Sequence, residues 1–195
     1  MSGDIKNKSE GRVLSRIGRL GIPVPENVKV NIEANEVTIT GPKGTLSQKT
    51  HSDVTISFTD GIIKVSLNPS RKPDHAIHGL TRSLISNGII GVTSGYQKSL
   101  EVMGVGYRAQ QSGKGITLNV GFSHPVEVAP LSGVTITVER NNQIIVDGID
   151  KQQVGQVAAN IRRIRPPNAY KARGIKYTDE QLRFKPGKSA AKTLA

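Results

Sequence analysis

Ten lysines and arginines, Arg162, Arg163, Arg165, Lys171, Arg173, Lys176, Arg183, Lys185, Lys188 and Lys192, fall in the last 34 residues of a 195-residue chain, against only Asp179 and Glu180. This block therefore holds +8 of a net charge of +12. A polyanion gains most from cations it can meet together, so such a concentration is the electrostatic footprint of phosphate binding. The preceding stretch, 96–161, has five basic and five acidic residues and is neutral. Tyr170 and Tyr177 stand among the cations, and Gly174 between them would let the backbone approach a phosphate while side chains reach past it. This mixture suits RNA, which is held by shape, phosphates and 2′-hydroxyls with stacking as a supplement. With four tyrosines, three phenylalanines and no tryptophan, stacking cannot be the main source of affinity. Arg162 and Arg163 also admit a simpler account, as cations in the last turn of a helix, where the helix dipole favours them by about a few tenths of a kcal/mol. Arg183, Lys185, Lys188 and Lys192 lie among glycine, alanine and serine with little apolar anchoring, which describes a basic tail, 179–195, that orders on binding.

Other chemistries fit less well. Gly104-x-Gly106-x-x-Ala109 imitates a dinucleotide fingerprint, but Gln110-Gln-Ser-Gly-Lys-Gly115 follows it as a turn, where that motif requires a helix to meet the pyrophosphate. Gly187-Lys188-Ser189 is the end of a phosphate loop without its beginning, since position 182 is leucine. His75 and His78 sit beside Asp74 with no third well-placed ligand, and read as surface histidines. Asp147 and Asp150 flank Gly148 at a strand-to-helix turn, where turn formation and capping explain them. No serine or carboxylate has a partner that would make it a nucleophile or an acid, and cysteine is absent. The expectation is no catalytic residue, no cofactor, no metal and no small-molecule substrate. No apolar run approaches the roughly 20 residues of a membrane span, and residues 1–13 have no apolar signal core, so a soluble cytoplasmic protein is expected. A DNA-binding architectural protein would share the charge, but no recognition-helix arrangement is present.

The elements behind the basic block are written twice. Val54-Thr-Ile-Ser-Phe, Ile62-Ile-Lys-Val and a helical stretch through Asn87 read against Val134-Thr-Ile-Thr-Val, Ile144-Ile-Val and a helix through Ile164. The strand pairs alternate apolar with polar residues, as half-buried strands do. Ile77, Leu80 and Leu84 match Val154, Val157 and Ile161 at spacings of three and four, giving each helix one apolar stripe. Asp150 with Gln153 resembles a capping box, while Asn87-Gly88 and Pro166-Pro167 are the expected helix stops. Further alternating runs, Val28 to Ile32, Val37 to Ile39, Leu100 to Val102 and Ile116 to Val120, lie upstream in the two halves. The predicted fold is α+β: two tandem repeats, 15–95 and 96–178, each a small antiparallel sheet packed by one late helix. A disordered extension, 1–14, precedes them and the basic tail follows.

Ser15-Arg-Ile-Gly18, Ile22-Pro-Val-Pro25, Gly41-Pro-Lys-Gly44, Gly104-Val-Gly-Tyr-Arg108, Gly121-Phe-Ser-His-Pro125 and Pro167-Asn-Ala-Tyr-Lys-Ala-Arg-Gly-Ile175 resemble the family of bacterial large-subunit ribosomal protein six, in order and over nearly the whole chain. The resemblance implies a structural constituent of the 50S subunit, without catalytic role, that binds 23S ribosomal RNA near the sarcin-ricin loop and the docking site of translational GTPases. It implies neighbouring large-subunit proteins as partners, and it adds Tyr107, Arg108, Ser123 and His124 as secondary RNA-binding candidates. Arg173 departs from the lysine usual in the family, which keeps the charge but allows a bidentate clamp on phosphate. The first half, 1–95, carries twelve basic and eight acidic residues without a cluster, and is expected to face protein neighbours or passing factors.

Overall fold

Short runs that alternate apolar with polar residues bury one face only when paired edge to edge, and hydrogen-bonded sheets are the result. The computed structural model describes residues 15–33, 36–68, 75–139 and 142–187. The chain divides into two compact units between Ser94 and Gly95.

In the first unit β1 (Ile22–Pro23), β2 (Lys29–Ile32), β3 (Glu36–Gly41), β4 (Gly44–Lys49), β5 (Val54–Thr59) and β6 (Ile62–Leu67) precede α1 (His75–Thr93). β2, β3 and β4 form one antiparallel sheet with β3 central, and β1, β6 and β5 form another in that order. Val37 and Ile39 of β3, Ile63 and Val65 of β6, and Ile85, Ile89 and Val92 of α1 make the core.

The buried stripe of α1 differs from the expected Ile77, Leu80 and Leu84 by one residue. Leu80 is 57% exposed, and the helix instead buries His78, Thr81, Ile85, Gly88, Ile89 and Val92 at the same spacing. Glycine selects the face, because a Cβ on Gly88 would stand 2.7 Å from the Ile39 side chain. The helix can lie this close to β3 only along that line. Asn87-Gly88 therefore does not stop α1, which continues to Thr93 and is followed by Gly95 at a φ of 78°. The roughly 1 kcal/mol that glycine costs a helix interior is offset by the close packing it permits. The turn between β3 and β4 caps the other end: the Lys43 N–H donates to the Val92 carbonyl at 3.0 Å, and the Lys43 ammonium donates to the Ser94 carbonyl. His78 is not the expected surface histidine. It is fully buried and donates from Nε2 to the Val65 carbonyl at 2.9 Å, in a space that exists because Gly18 has no side chain.

In the second unit β7 (Tyr96–Met103), β8 (Arg108–Ser112), β9 (Gly115–Asn119), β10 (Val126–Val128), β11 (Val134–Glu139) and β12 (Gln143–Gly148) precede α2 (Lys151–Ile164), and β13 (Gly174–Tyr177) follows it. The sheets run β10-β9-β8 and β11-β12-β7-β13. The order β5-β6-β1 of the first unit thus recurs as β11-β12-β7, with a three-stranded antiparallel sheet beside each, so the two-repeat α+β organisation is present. Val154, Val157 and Ile161 form the buried stripe of α2 as expected, against Leu100, Val102, Ile144, Val146 and Ile175. Asp150 caps α2 by accepting from the Gln152 N–H at 2.8 Å, one residue earlier than a capping box would have it. Arg165 leaves the helix at φ −149° and ψ 85°, outside the helical region that the following proline disfavours. β13 is the departure from the predicted fold. The segment expected as an extended basic exit is the edge strand of the larger sheet, with Ile175 fully buried.

Candidate nucleic-acid interface

A loop that must present several cations without scattering them needs its own hydrogen bonds, and the link between α2 and β13 has them. The Asn168 N–H donates to the Arg173 carbonyl at 2.9 Å, the Ala172 N–H to the Asn168 carbonyl at 3.0 Å, and the Tyr170 N–H to the Asn168 side-chain oxygen at 2.8 Å. The Ile175 N–H reaches back to the Arg165 carbonyl at 2.8 Å, closing the loop at its base. Ala172 accepts a φ of 55° to complete the turn. Asparagine at 168 is the residue type that makes such a turn, by replacing a backbone acceptor with its own amide oxygen. Tyr170, Lys171 and Arg173 are left exposed on this frame.

Opposite them lies Tyr107, half-buried between two turns that need glycine. Gly104 and Gly121 have φ of 134° and 79°, and a Cβ on either would stand 3.1–3.2 Å from Tyr107 atoms. Asn142 fixes the same loop, donating to the Tyr107 carbonyl at 3.1 Å and accepting from the Ala109 N–H at 3.2 Å. β8 follows at Arg108, so the Gly104-x-Gly106 segment leads into a strand. Tyr107, Arg165, Pro166, Pro167, Asn168, Lys171 and Arg173 together line an open concavity of about 550 Å³. Its lining holds three cations and no carboxylate. Among the described residues neither Arg165, Lys171 nor Arg173 forms an ion pair, and the same is true of exposed Arg108 and Arg163. Uncompensated cations around a polar cleft focus potential on an anion there.

Ser123 and His124 are exposed on the turn Gly121–Pro125, beside this group, since the Arg165 guanidinium lies over the ring of their neighbour Phe122. Arg183 and Lys185 are exposed, and the Lys185 N–H donates to the Ala169 carbonyl at 3.0 Å, which returns that segment to the loop. Lys188 and Lys192 lie outside the described residues.

Four of the sequence candidates are engaged within the fold. Arg162 holds Glu180 bidentately, Nε to Oε2 at 3.0 Å and a terminal nitrogen to Oε1 at 2.6 Å. Lys176 pairs with Glu101, its register partner across β13 and β7, at 3.3 Å. The Tyr177 ring packs against the core with the Arg162 guanidinium 5.7 Å from its centroid and Lys98 at 5.8 Å. Gly174 is needed at the loop base, because at its φ of 142° a Cβ would stand 2.6 Å from the Pro166 carbonyl oxygen. Sequence charge alone could not separate these from their neighbours, though Glu180 and Glu101 were the available partners.

The Arg162–Glu180 pair has a pH signature. Hydrogen bonds from Arg162 hold the Glu180 carboxyl below its ordinary range, with burial opposing and the Tyr177 N–H assisting, and the same pairing raises Arg162. A carboxylate lowered by folding contributes stability that is complete above its unfolded pKa of about 4.3 and is lost as pH falls through the folded value. Glu180→Gln is expected to lower stability at pH 7 by about 1–2 kcal/mol, a figure reduced for the partial exposure of both groups. The deficit should close on acidification below about pH 4. Thermal melts of both proteins from pH 7 to pH 3 check this; a constant gap would locate the loss in packing.

A family model described as ribosomal protein L6 matches residues 24–95 and 103–178, one segment in each unit. The chain is similar to the large ribosomal subunit protein uL6 of Carboxydothermus hydrogenoformans, 54% identical over 179 residues that cover 92% of this chain and 98% of that protein. It is similarly related to the protein of that name from Caldanaerobacter subterraneus subsp. tengcongensis, 51% identical over 180 residues, covering 92% of this chain and all of the relative. A third, from a Roseiflexus species, is 51% identical over 183 residues, covering 90% and 98%.

Proposed function

The chain belongs to the ribosomal protein L6 family, and from that premise we propose that it is a structural constituent of the large ribosomal subunit that binds 23S ribosomal RNA mainly through its second unit. It is a ribosomal protein and not an enzyme, and works in the cytoplasm as part of the ribosome. The observation that carries the RNA assignment is the group of uncompensated cations, Arg165, Lys171 and Arg173, gathered with Tyr107 around one polar concavity. Phosphate oxygens suit this cleft: guanidinium forks hold them bidentately, Lys171 adds a point charge, and the loop's internal hydrogen bonds keep the group in place before binding. Tyr170, 61% exposed at the loop tip, supplies a ring for a base or ribose. Arg108, Arg163, Arg183, Lys185, Ser123 and His124 extend the surface around it. Arg162, Lys176, Tyr177 and Gly174 act in this reading as the frame behind the contact surface. Lys188 and Lys192 continue the basic tail.

The finer placement, near the sarcin-ricin loop and the docking site of translational GTPases, follows the resemblance carried by the sequence motifs. Charge in the first unit is spread rather than clustered, which suits contacts with neighbouring large-subunit proteins or passing factors. Ultraviolet crosslinking of intact large subunits, followed by mass spectrometry of this chain, tests both assignments. Nucleotides are expected on peptides spanning 105–125 and 163–187, and the modified bases are expected near the sarcin-ricin loop. Crosslinks mainly from residues 15–94 would overturn the assignment of the second unit.

A further inference from the structure

Among the large apolar side chains that the described residues leave exposed, Phe122 is set apart by the planar groups packed against its ring. It is 42% exposed on the turn opened by Gly121. The Phe122 and His124 rings are within 22° of parallel with centroids 6.3 Å apart, and the Arg165 guanidinium carbon is 5.3 Å from the Phe122 centroid. Arg165 also lines the cationic concavity with Lys171 and Arg173. A plane for a base and a cleft for a phosphate therefore share one residue.

We infer that Phe122, His124 and the Arg165 guanidinium form a planar tier that takes one unpaired base of the bound RNA, with that nucleotide's phosphate in the adjoining concavity. The inference rests on the RNA-binding reading above and adds to it a nucleotide-sized subsite. Single-stranded bases are recognised by stacking on aromatic rings and guanidinium planes, and every base offers such a face. Packing Phe122 against Arg165 orients both in advance, so little side-chain freedom is lost on binding. The tier selects an unpaired nucleotide over a duplex, because a paired base has no free face to offer.

The test measures binding of the full chain to 23S rRNA transcripts across a salt series, for wild type, Phe122→Leu, Arg165→Lys and the double variant. Phe122→Leu keeps apolar bulk and charge but removes the ring. It is expected to weaken binding about 5- to 100-fold at every salt concentration, with the salt slope and the protein's melting temperature unchanged. Arg165→Lys keeps the charge but not the plane. It is expected to lose affinity with the slope intact, and to add little when Phe122 is already leucine, because both act on one stack. Ultraviolet irradiation of the wild-type complex should leave a nucleotide on the peptide containing Phe122. Wild-type binding with Phe122→Leu within about twofold of it would overturn the tier while leaving the RNA reading intact. Failure of the wild type to bind 23S rRNA would overturn both.

Discussion

Replacing Arg165, Lys171 and Arg173 together by alanine should flatten the dependence of log K on log salt for 23S rRNA binding by about two to three units. Each phosphate neutralised releases condensed counterions, with a slope of about 0.7 to 0.9 per contact, so three contacts near 0.1 M salt amount to roughly a hundredfold or more in affinity. The expectation is confined to these three because they line one concavity without a carboxylate partner. Lys176→Ala should leave the slope nearly alone, since that ammonium is already neutralised by Glu101 at 3.3 Å and its side chain is only 18% exposed. Lys49 and Lys64, exposed in the first unit, serve as the control for charge removed elsewhere, and their double replacement is expected to have no effect on the slope. Filter binding over a salt series reads all of these. Equal slopes for the triple variant and wild type would mean that the loop is a solvated surface, and the RNA assignment of these residues would fall.

Gly174→Ala is expected to destabilise the second unit by about 2–4 kcal/mol, the sum of a left-handed conformation that a side chain resists and a backbone that must move aside. The added Cβ would stand 2.6 Å from the Pro166 carbonyl oxygen and 2.7 Å from the Pro167 Cα, so a rotamer change cannot relieve it. For a unit of this size the melting temperature should fall by about 8 to 30 °C. Gly155 in α2 provides the contrast, because a Cβ there meets nothing within 4 Å, and alanine should stabilise by about 0.5–1 kcal/mol. Calorimetry of the three proteins separates the cases. An unchanged melting transition for Gly174→Ala would show that the loop base is slack, and would return Gly174 to the role of a close approach to phosphate.

Where one element decides its own structure, the residues were readable. The strand pairs β5 with β6 and β11 with β12 follow from local alternation, α2 from its stripe of Val154, Val157 and Ile161, and its end from Pro166-Pro167. Reading failed where a distant partner decided. The register of α1 is set by how closely Gly88 can approach Ile39, which no helical periodicity contains. His78 is buried because Gly18, sixty residues away, leaves room for it. In the basic block the composition located the charge, but the division between Arg165, Lys171 and Arg173 on one side and Arg162 and Lys176 on the other depends on Glu180 and Glu101. Tyr177 and Ile175 read as part of a basic exit because four residues are too few for a period, and their burial comes from pairing with β7. Phe122 stands in the sequence only as part of the Gly121–Pro125 motif, since the Arg165 guanidinium and the His124 ring meet it only in the fold.

The pairing of β13 with β7 also sets an order in time. Gly174–Tyr177 meets Leu100–Met103, so the larger sheet of the second unit cannot be completed until synthesis has passed Tyr177. The first unit has no such debt, since its described strands and helix all lie before Ser94. During vectorial synthesis it can fold while β7 still waits with an open edge, and long-range closure of that kind is slow. The residues that close the sheet also carry the loop of Lys171 and Arg173, so the nascent chain exposes its more dispersed charge first. The cations of that loop emerge after β12 and α2, when the scaffold that arranges them is one strand from complete.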